Sequence, residues 1–168
     1  MALKDIKLMI VDVDGVLTDG RIFCNDSGEE QKVFHVKDGS GIAYWHRAGL
    51  KSAIISGRNS RAVEHRAKEL GIEDVCQGAQ NKLEAYERMI KKHKVKDEEV
   101  CYIGDDLIDL PVLRRVGFSV AVQGSPEELL SAVDYVTKAP GGRGAVREVV
   151  EKLLKSQGKW AEILKRYV

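Results

Sequence analysis

The sequence predicts an α/β fold: a doubly wound, mainly parallel, Rossmann-like sheet with a small β-hairpin inserted after its first strand. Three observations carry this. Short apolar runs rich in β-branched residues recur along the chain, helical patterns separate them, and polar signals cluster where the runs end. Such alternation builds βαβ units on a parallel sheet. With 168 residues the chain can bury one real core but not two comfortable ones, so residues 1–168 are read as a single domain.

The first strand is "KLMIVDV" (7–13), which runs into "DVDG", two acids one position apart followed by a glycine. The segment "RIFCNDSGEEQKVFHV" (21–36) carries apolar residues on both sides of the turn-forming "NDSG" and reads as a hairpin. A hairpin this small has little core of its own, so Ile22, Phe23, Val33 and Phe34 are expected at a subunit interface rather than in ordinary hairpin packing. "DGSGIAYWHRAG" (38–49) is a short helix returning to the sheet, and "KSAIIS" (51–56) is the next strand. "NSRAVEHRAKELG" (59–71) opens on Asn/Ser cap candidates and ends on Gly, while "NKLEAYERMIKKHK" (81–94) finishes basic, as helix C-termini prefer. Strands are expected at "DVCQG" (74–78), "EVCYIG" (99–104), "FSVAV" (118–122) and "DYVTK" (134–138). "APGGRG" (139–144) reads as a flexible loop, either a connector or a carrier that swings Arg143 over a site. The last helix and tail run from about 145 to 168.

Net charge is only +1, with 43% hydrophobic and 32% charged residues, which suggests neither disorder nor a nucleic-acid footprint. A small ligand is expected instead. No run of about 20 apolar residues calls for a membrane partner, and the N-terminus lacks a secretory pattern, so the cytosol is the default location. Cys24, Cys76 and Cys101 are widely spaced with no CxxC pair, as buried thiols in a reducing compartment would be.

Ligands of doubly wound sheets bind outside the carboxyl ends of the strands. Four polar signals fall at such ends: Asp12 with Asp14, "SGR" (56–58), Lys82, and "GDDLID" (104–109), which contains Asp105, Asp106 and Asp109. Two like charges about 4 Å apart cost roughly 4 kcal/mol at an effective dielectric of about 20. A cation would relieve that cost, and hard oxygen ligands suit Mg²⁺. Lys82 and the Ser56 hydroxyl can stabilise phosphoryl oxygens, while one carboxylate attacks phosphorus and another moves protons.

Each signal also has a plainer reading. Asp12 and Asp14 can cap a turn, Ser56 can cap the helix starting near Asn59, Lys82 can be a solvated lysine, and "GDDLID" can be an acidic helix N-terminus. An EF-hand is disfavoured because Gly15 comes too early in the loop. Arg58 and Lys37 either pair with a substrate carboxylate or form surface salt bridges. His35 is a weaker candidate for substrate contact, and His46, His65 and His93 are given no chemistry.

Together, "DVDGVLTDG" (12–20), "IISGR" (54–58), Lys82 and "GDDLID" (104–109) resemble, in this order, the haloacid dehalogenase-like phosphatases. The resemblance covers most of the chain. It implies that Asp12 is the nucleophile forming an aspartyl-phosphate and Asp14 the general acid and base. It also implies that Ser56 and Lys82 hold the phosphoryl group, and that Asp12, the Asp14 carbonyl and Asp105 bind Mg²⁺ with Asp106 and Asp109 in support. Thr18, Gly57, Arg58 and Lys37 are expected at the substrate. The hairpin, "VKDGSGI" (36–42) and "GGRGAVREV" (141–149) are similar to the branch that has no cap domain. That similarity implies a phosphorylated eight- or nine-carbon sugar acid as the substrate and a homotetramer in which a neighbour supplies the lid. The spans between Asp14 and Ser56 and between Lys82 and Asp105 are filled by sheet-and-helix units and the hairpin, so no cap domain fits. A non-catalytic assembly module is disfavoured by retention of both Asp12 and Asp14. A receiver-type signalling module is disfavoured because its adjacent acids follow the first strand, not the fourth.

Overall fold

The first strand, β1 (Leu8–Val11), reads LMIV, and all four residues are buried because a parallel sheet covered on both faces leaves no side of a central strand in water. Its alternate side chains serve two cores. Met9 and Val11 join Ile42, Trp45, Val150 and Leu153 on one face, whereas Leu8 and Ile10 join Ala85, Tyr86, Met89 and Val112 on the other. The computed structural model describes residues 3–167.

After β1 come the hairpin strands β2 (Phe23–Cys24) and β3 (Glu30–Gln31), helix α1 (Val36–Arg47) and strand β4 (Lys51–Ile55). They are followed by α2 (Arg61–Leu70), β5 (Asp74–Cys76), α3 (Lys82–His93), β6 (Val100–Gly104) and α4 (Leu110–Leu113). The chain then runs through β7 (Phe118–Gln123), α5 (Glu127–Leu130), β8 (Tyr135–Pro140), α6 (Ala145–Ser156) and α7 (Trp160–Leu164). The main sheet has the order β5-β4-β1-β6-β7-β8, and every neighbouring pair is parallel. Leu8 faces Lys51 on one side and Val100 on the other. With the hairpin strands set aside, the order reverses direction at the first strand, which places a ligand crevice beside the end of β1. A receiver-type order, in which the first strand lies between the second and third, is excluded.

The expected α/β class and hairpin insertion stand, with three refinements. The hairpin ladder is only two residues per strand, Phe23 opposite Gln31 and Cys24 opposite Glu30. Ile22, Phe23 and Val33 are exposed, but Phe34 packs against the main core, with the Arg66 guanidinium 5.7 Å above its ring. Second, the terminal segment breaks after Ser156 and resumes as α7, whose Trp160 and Ile163 return to the α1–α6 face. Third, "APGGRG" is not a free loop. Gly142 N–H donates to the Val16 carbonyl at 2.8 Å, and a Cβ on Gly141 would lie 1.6 Å from the Gly15 oxygen. Its glycines let it dock on the loop that follows β1.

Of the cysteines only Cys101 is buried; Cys76 is half-buried and Cys24 exposed. No described helix is long and apolar enough to cross a membrane.

Candidate active site

Asp12 stands one residue beyond β1, where its Oδ1 accepts from the Val13 N–H at 2.7 Å. The chain then makes a wide turn closed by Thr18 N–H donating to the Val13 carbonyl at 3.0 Å. Gly15 is indispensable to that turn on two counts. Its φ is +83°, which favours glycine, and a Cβ there would lie 1.9 Å from Asp105 Oδ2. The turn thus brings the "DVDG" and "GDD" segments into contact.

Lys82, the first residue of α3, is buried with its Nζ 2.8 Å from Asp12 Oδ2 and 2.7 Å from Asp109 Oδ1. The helix start is fixed by Asn81, whose side chain accepts from the N–H groups of Leu83 and Glu84. Asp109 is fully buried and saturated. Its Oδ1 takes Lys82 and the Tyr102 hydroxyl (2.6 Å), and its Oδ2 takes the N–H groups of Asp105 (3.0 Å) and Asp106 (3.3 Å). A carboxylate offers about four such acceptor sites, so Asp109 anchors Lys82 and the "GDD" turn and has nothing left for an ion.

Asp12, Asp105 and Asp109 each bring a carboxylate oxygen to within 4.8 Å of the others. Burial pushes Asp12 up to about 6 even against the pull of Lys82. Burial, with the charges of Asp12 and Asp109 added, pushes Asp105 up to about 8. Two carboxylates so reluctant to ionise fit a divalent cation, and with Asp109 already saturated the acids able to ligate it are Asp12 and Asp105.

Asp12 and Asp105 line one cleft of about 420 Å³, to which the buried Asp109 contributes no wall. Asp12, Asp14, Lys82 and Asp105 share it with Ser56, Gly57, Arg58 and Asp106. Ser56 follows β4, is buried, and orders the next turn by accepting the Arg58 N–H at 3.3 Å. Asp106 also accepts from Leu107 N–H at 2.7 Å, starting the turn that carries Asp109.

Two expected substrate residues are corrected. The buried Thr18 hydroxyl donates to Val13 O at 3.3 Å and accepts from the Gly15 and Gly20 N–H groups, so it shapes the loop and does not line the cleft. Lys37, at the start of α1, lines a different groove with Arg143 and Arg147. His35 also lies outside the cleft, 3.7 Å from Asp38. Conversely, sequence reading missed Tyr102, which holds Asp109, and Glu30 and Lys32, whose pair lies beside the cleft with Lys32 Nζ 2.6 Å from Glu30 Oε1 and 2.5 Å from Asp14 Oδ1. Tyr102 is a phenol inside an apolar strand, a position that demands a buried partner; no local signal marks the other two.

The scaffold motifs around "DGSG" and "GGRG" meet each other. Asp38, buried near the start of α1, accepts from the N–H groups of Gly144 (3.0 Å) and Arg147 (2.9 Å) and so caps α6. Gly41 would push a Cβ to 3.0 Å from the Arg147 Cα, so its bareness lets α1 and α6 pack closely.

A family model described as haloacid dehalogenase-like hydrolase matches residues 72–149, and with a relative 48% identical over 95% of the chain the chain belongs to that family of hydrolases. Within it the chain is similar to the 3-deoxy-D-manno-octulosonate 8-phosphate phosphatase of Escherichia coli K12, with 48% identity over 159 residues, covering 95% of this chain and 85% of that one. The corresponding crystal structure from Yersinia pestis superposes with a TM-score of 0.94 at 46% identity, covering 95% of this chain and 86% of its own. The same phosphatase from Moraxella catarrhalis, in complex with magnesium ion, phosphate ion and KDO, gives 0.97 at 42% identity, covering 99% and 96%.

Proposed function

We propose that this chain is a Mg²⁺-dependent phosphomonoesterase that hydrolyses 3-deoxy-D-manno-octulosonate 8-phosphate to the free sugar acid and phosphate, a step of lipopolysaccharide precursor synthesis. The observation that carries the reading is the convergence of Asp12, Asp14, Ser56, Lys82 and Asp105 in one cleft, in a chain that shares 48% identity with a phosphatase of that substrate. The non-catalytic alternative would not require this constellation to be kept whole.

In the proposed mechanism Asp12 attacks phosphorus, and its bond to phosphorus forms as the bond to the sugar oxygen breaks. Asp14 gives the departing oxygen a proton, then takes one from the water that attacks the aspartyl-phosphate. Lys82 and the Ser56 hydroxyl hold phosphoryl oxygens, and Gly57 allows close approach beside them. Asp109 keeps Lys82 aimed at Asp12. Mg²⁺, held by Asp12, Asp105 and the Asp14 carbonyl, would supply positive charge to the phosphoryl oxygens and neutralise the buried acids. Arg58 stands at the rim, half-exposed, as a partner for the sugar-acid carboxylate.

The proposal extends to a homotetramer working in the cytosol, with exposed hairpin residues covered by a neighbouring copy that closes the cleft. Ile22, Phe23 and Val33, together with Leu107 and Ile108 beside the cleft, are exposed apolar side chains that support such contacts.

The test is phosphate release with Mg²⁺ from a panel holding the octulosonate 8-phosphate, nonulosonate 9-phosphates and hexose phosphates, with D12N as the control. Strong preference for the octulosonate and no turnover by D12N are expected. A nonulosonate preference would keep the chemistry and change the substrate, and hydrolysis of none would support an assembly module.

A further inference from the structure

We propose that Lys32, carried by the hairpin, is a positioning residue for proton transfer, anchoring the Asp14 carboxylate by Oδ1 so that Oδ2 is the oxygen presented to the leaving group. The inference rests on the reading of Asp14 as acid and base. It gives the hairpin a catalytic duty in addition to any role at an interface.

The Lys32 side chain is only 2% exposed. A lysine ammonium so deeply covered persists only with ionic partners, and it has two. Its Nζ lies 2.5 Å from Asp14 Oδ1 and 2.6 Å from Glu30 Oε1. Glu30 in turn pairs with the Arg58 guanidinium, whose Nε returns to within 3.7 Å of Asp14 Oδ2. Lys32, Asp14, Arg58 and Glu30 therefore form a closed ring in which the two carboxyl groups alternate with the two cations. Asp14 lines the cleft and Lys32 does not, so Lys32 acts through Asp14 and not on the substrate.

Anchoring matters because the terminal torsion of an aspartate is broad, and Asp14 sits in a turn whose own bonds do not fix its carboxyl group. With Oδ1 held, one orientation remains. In the first step the Oδ2 proton moves to the sugar oxygen as its bond to phosphorus breaks and the Asp12–phosphorus bond forms. In the second, water bonds to phosphorus, the Asp12–phosphorus bond breaks, and the water proton returns to Oδ2. Only a poor leaving group needs the first transfer: a sugar alkoxide must be protonated, whereas p-nitrophenolate leaves as a stable anion.

The experiment compares kcat/KM, which reports the step in which the leaving group departs, for the octulosonate 8-phosphate and p-nitrophenyl phosphate at saturating Mg²⁺. K32M, K32R and D14N are measured beside the unaltered protein. K32M should lose about 10²-fold on the sugar phosphate, the size of a general-acid contribution, and far less on p-nitrophenyl phosphate. K32R should recover most of the loss. Equal losses on both substrates, no loss, or a loss on the sugar phosphate carried by KM with kcat unchanged would overturn the inference, since damage to the Asp12 or Mg²⁺ site strikes both alike and a disturbed Arg58, tied to Lys32 through Glu30, weakens only binding of the sugar-acid carboxylate. D14N separates the two layers: if it is selective for the sugar phosphate while K32M is not, only the role of Lys32 falls. If D14N too is unselective, the proton-transfer reading falls and takes the inference with it.

Discussion

At the scale of single residues, the site is a problem of charge. Asp12, Asp105 and Asp109 meet in the interior, and one buried ammonium, Lys82, satisfies only part of the demand. The raised carboxyls of Asp12 and Asp105 set a sign for stability. Each folded acid holds its proton to a higher pH than the unfolded acid does, about 8 against an ordinary 3.8 for Asp105. Between those values the folded state binds more protons, so stability falls as pH rises. Metal-free protein is therefore expected to melt at a lower temperature near about pH 8 than near about pH 5, and Mg²⁺ should stabilise it more at the higher pH, where the ligands ionise. Thermal unfolding in chelator and in Mg²⁺ across that range checks this. A metal-free melting temperature that climbs with pH would contradict the electrostatics.

At the scale of elements, three segments that contribute no reacting atom hold the loop after β1 in place. The 139–144 loop docks on it through Gly141 and Gly142, α6 follows that loop directly, and Asp38 of α1 caps the first turn of α6. D38A should cost about 1–2 kcal/mol, the upper range for losing a helix cap. It should also lower activity, because the 139–144 loop leads straight into α6. Chemical denaturation and kcat/KM on one preparation would test both. Normal activity with lost stability would mean that the docked loop positions nothing. Most elements were legible beforehand: β1 as an uninterrupted apolar run, and α3 by its Asn81 cap and basic end. The short helices α4 and α5, of four residues each, were not, since one helical turn is too short to show a period.

At the scale of the whole molecule, the cleft is open beside a hairpin too small to hold a core. A tetramer is expected by sedimentation at working concentration. Dilution to monomer should weaken hydrolysis of the sugar-acid phosphate more than that of p-nitrophenyl phosphate, which needs no lid. Equal effects on both would refute the borrowed lid, and a monomer at all concentrations would refute the assembly.

The sequence by itself determined the α/β class, the place of the hairpin, and the gathering of Asp12, Ser56, Lys82 and Asp105 at one edge of the sheet. Periodicity is local, and a doubly wound sheet sends every strand end to the same crevice. Only the tertiary structure decided what each side chain does there. It showed that Asp109 is saturated by Lys82, Tyr102 and two backbone donors, that Thr18 braces its own loop, and that Lys37 faces another groove. It also showed that Lys32 reaches Asp14. The pairings of Lys82 with Asp109 and of Lys32 with Asp14 join residues 27 and 18 apart and are fixed by how the elements pack, while Thr18 and the backbone donors to Asp109 depend on irregular turns, and no periodic pattern encodes either.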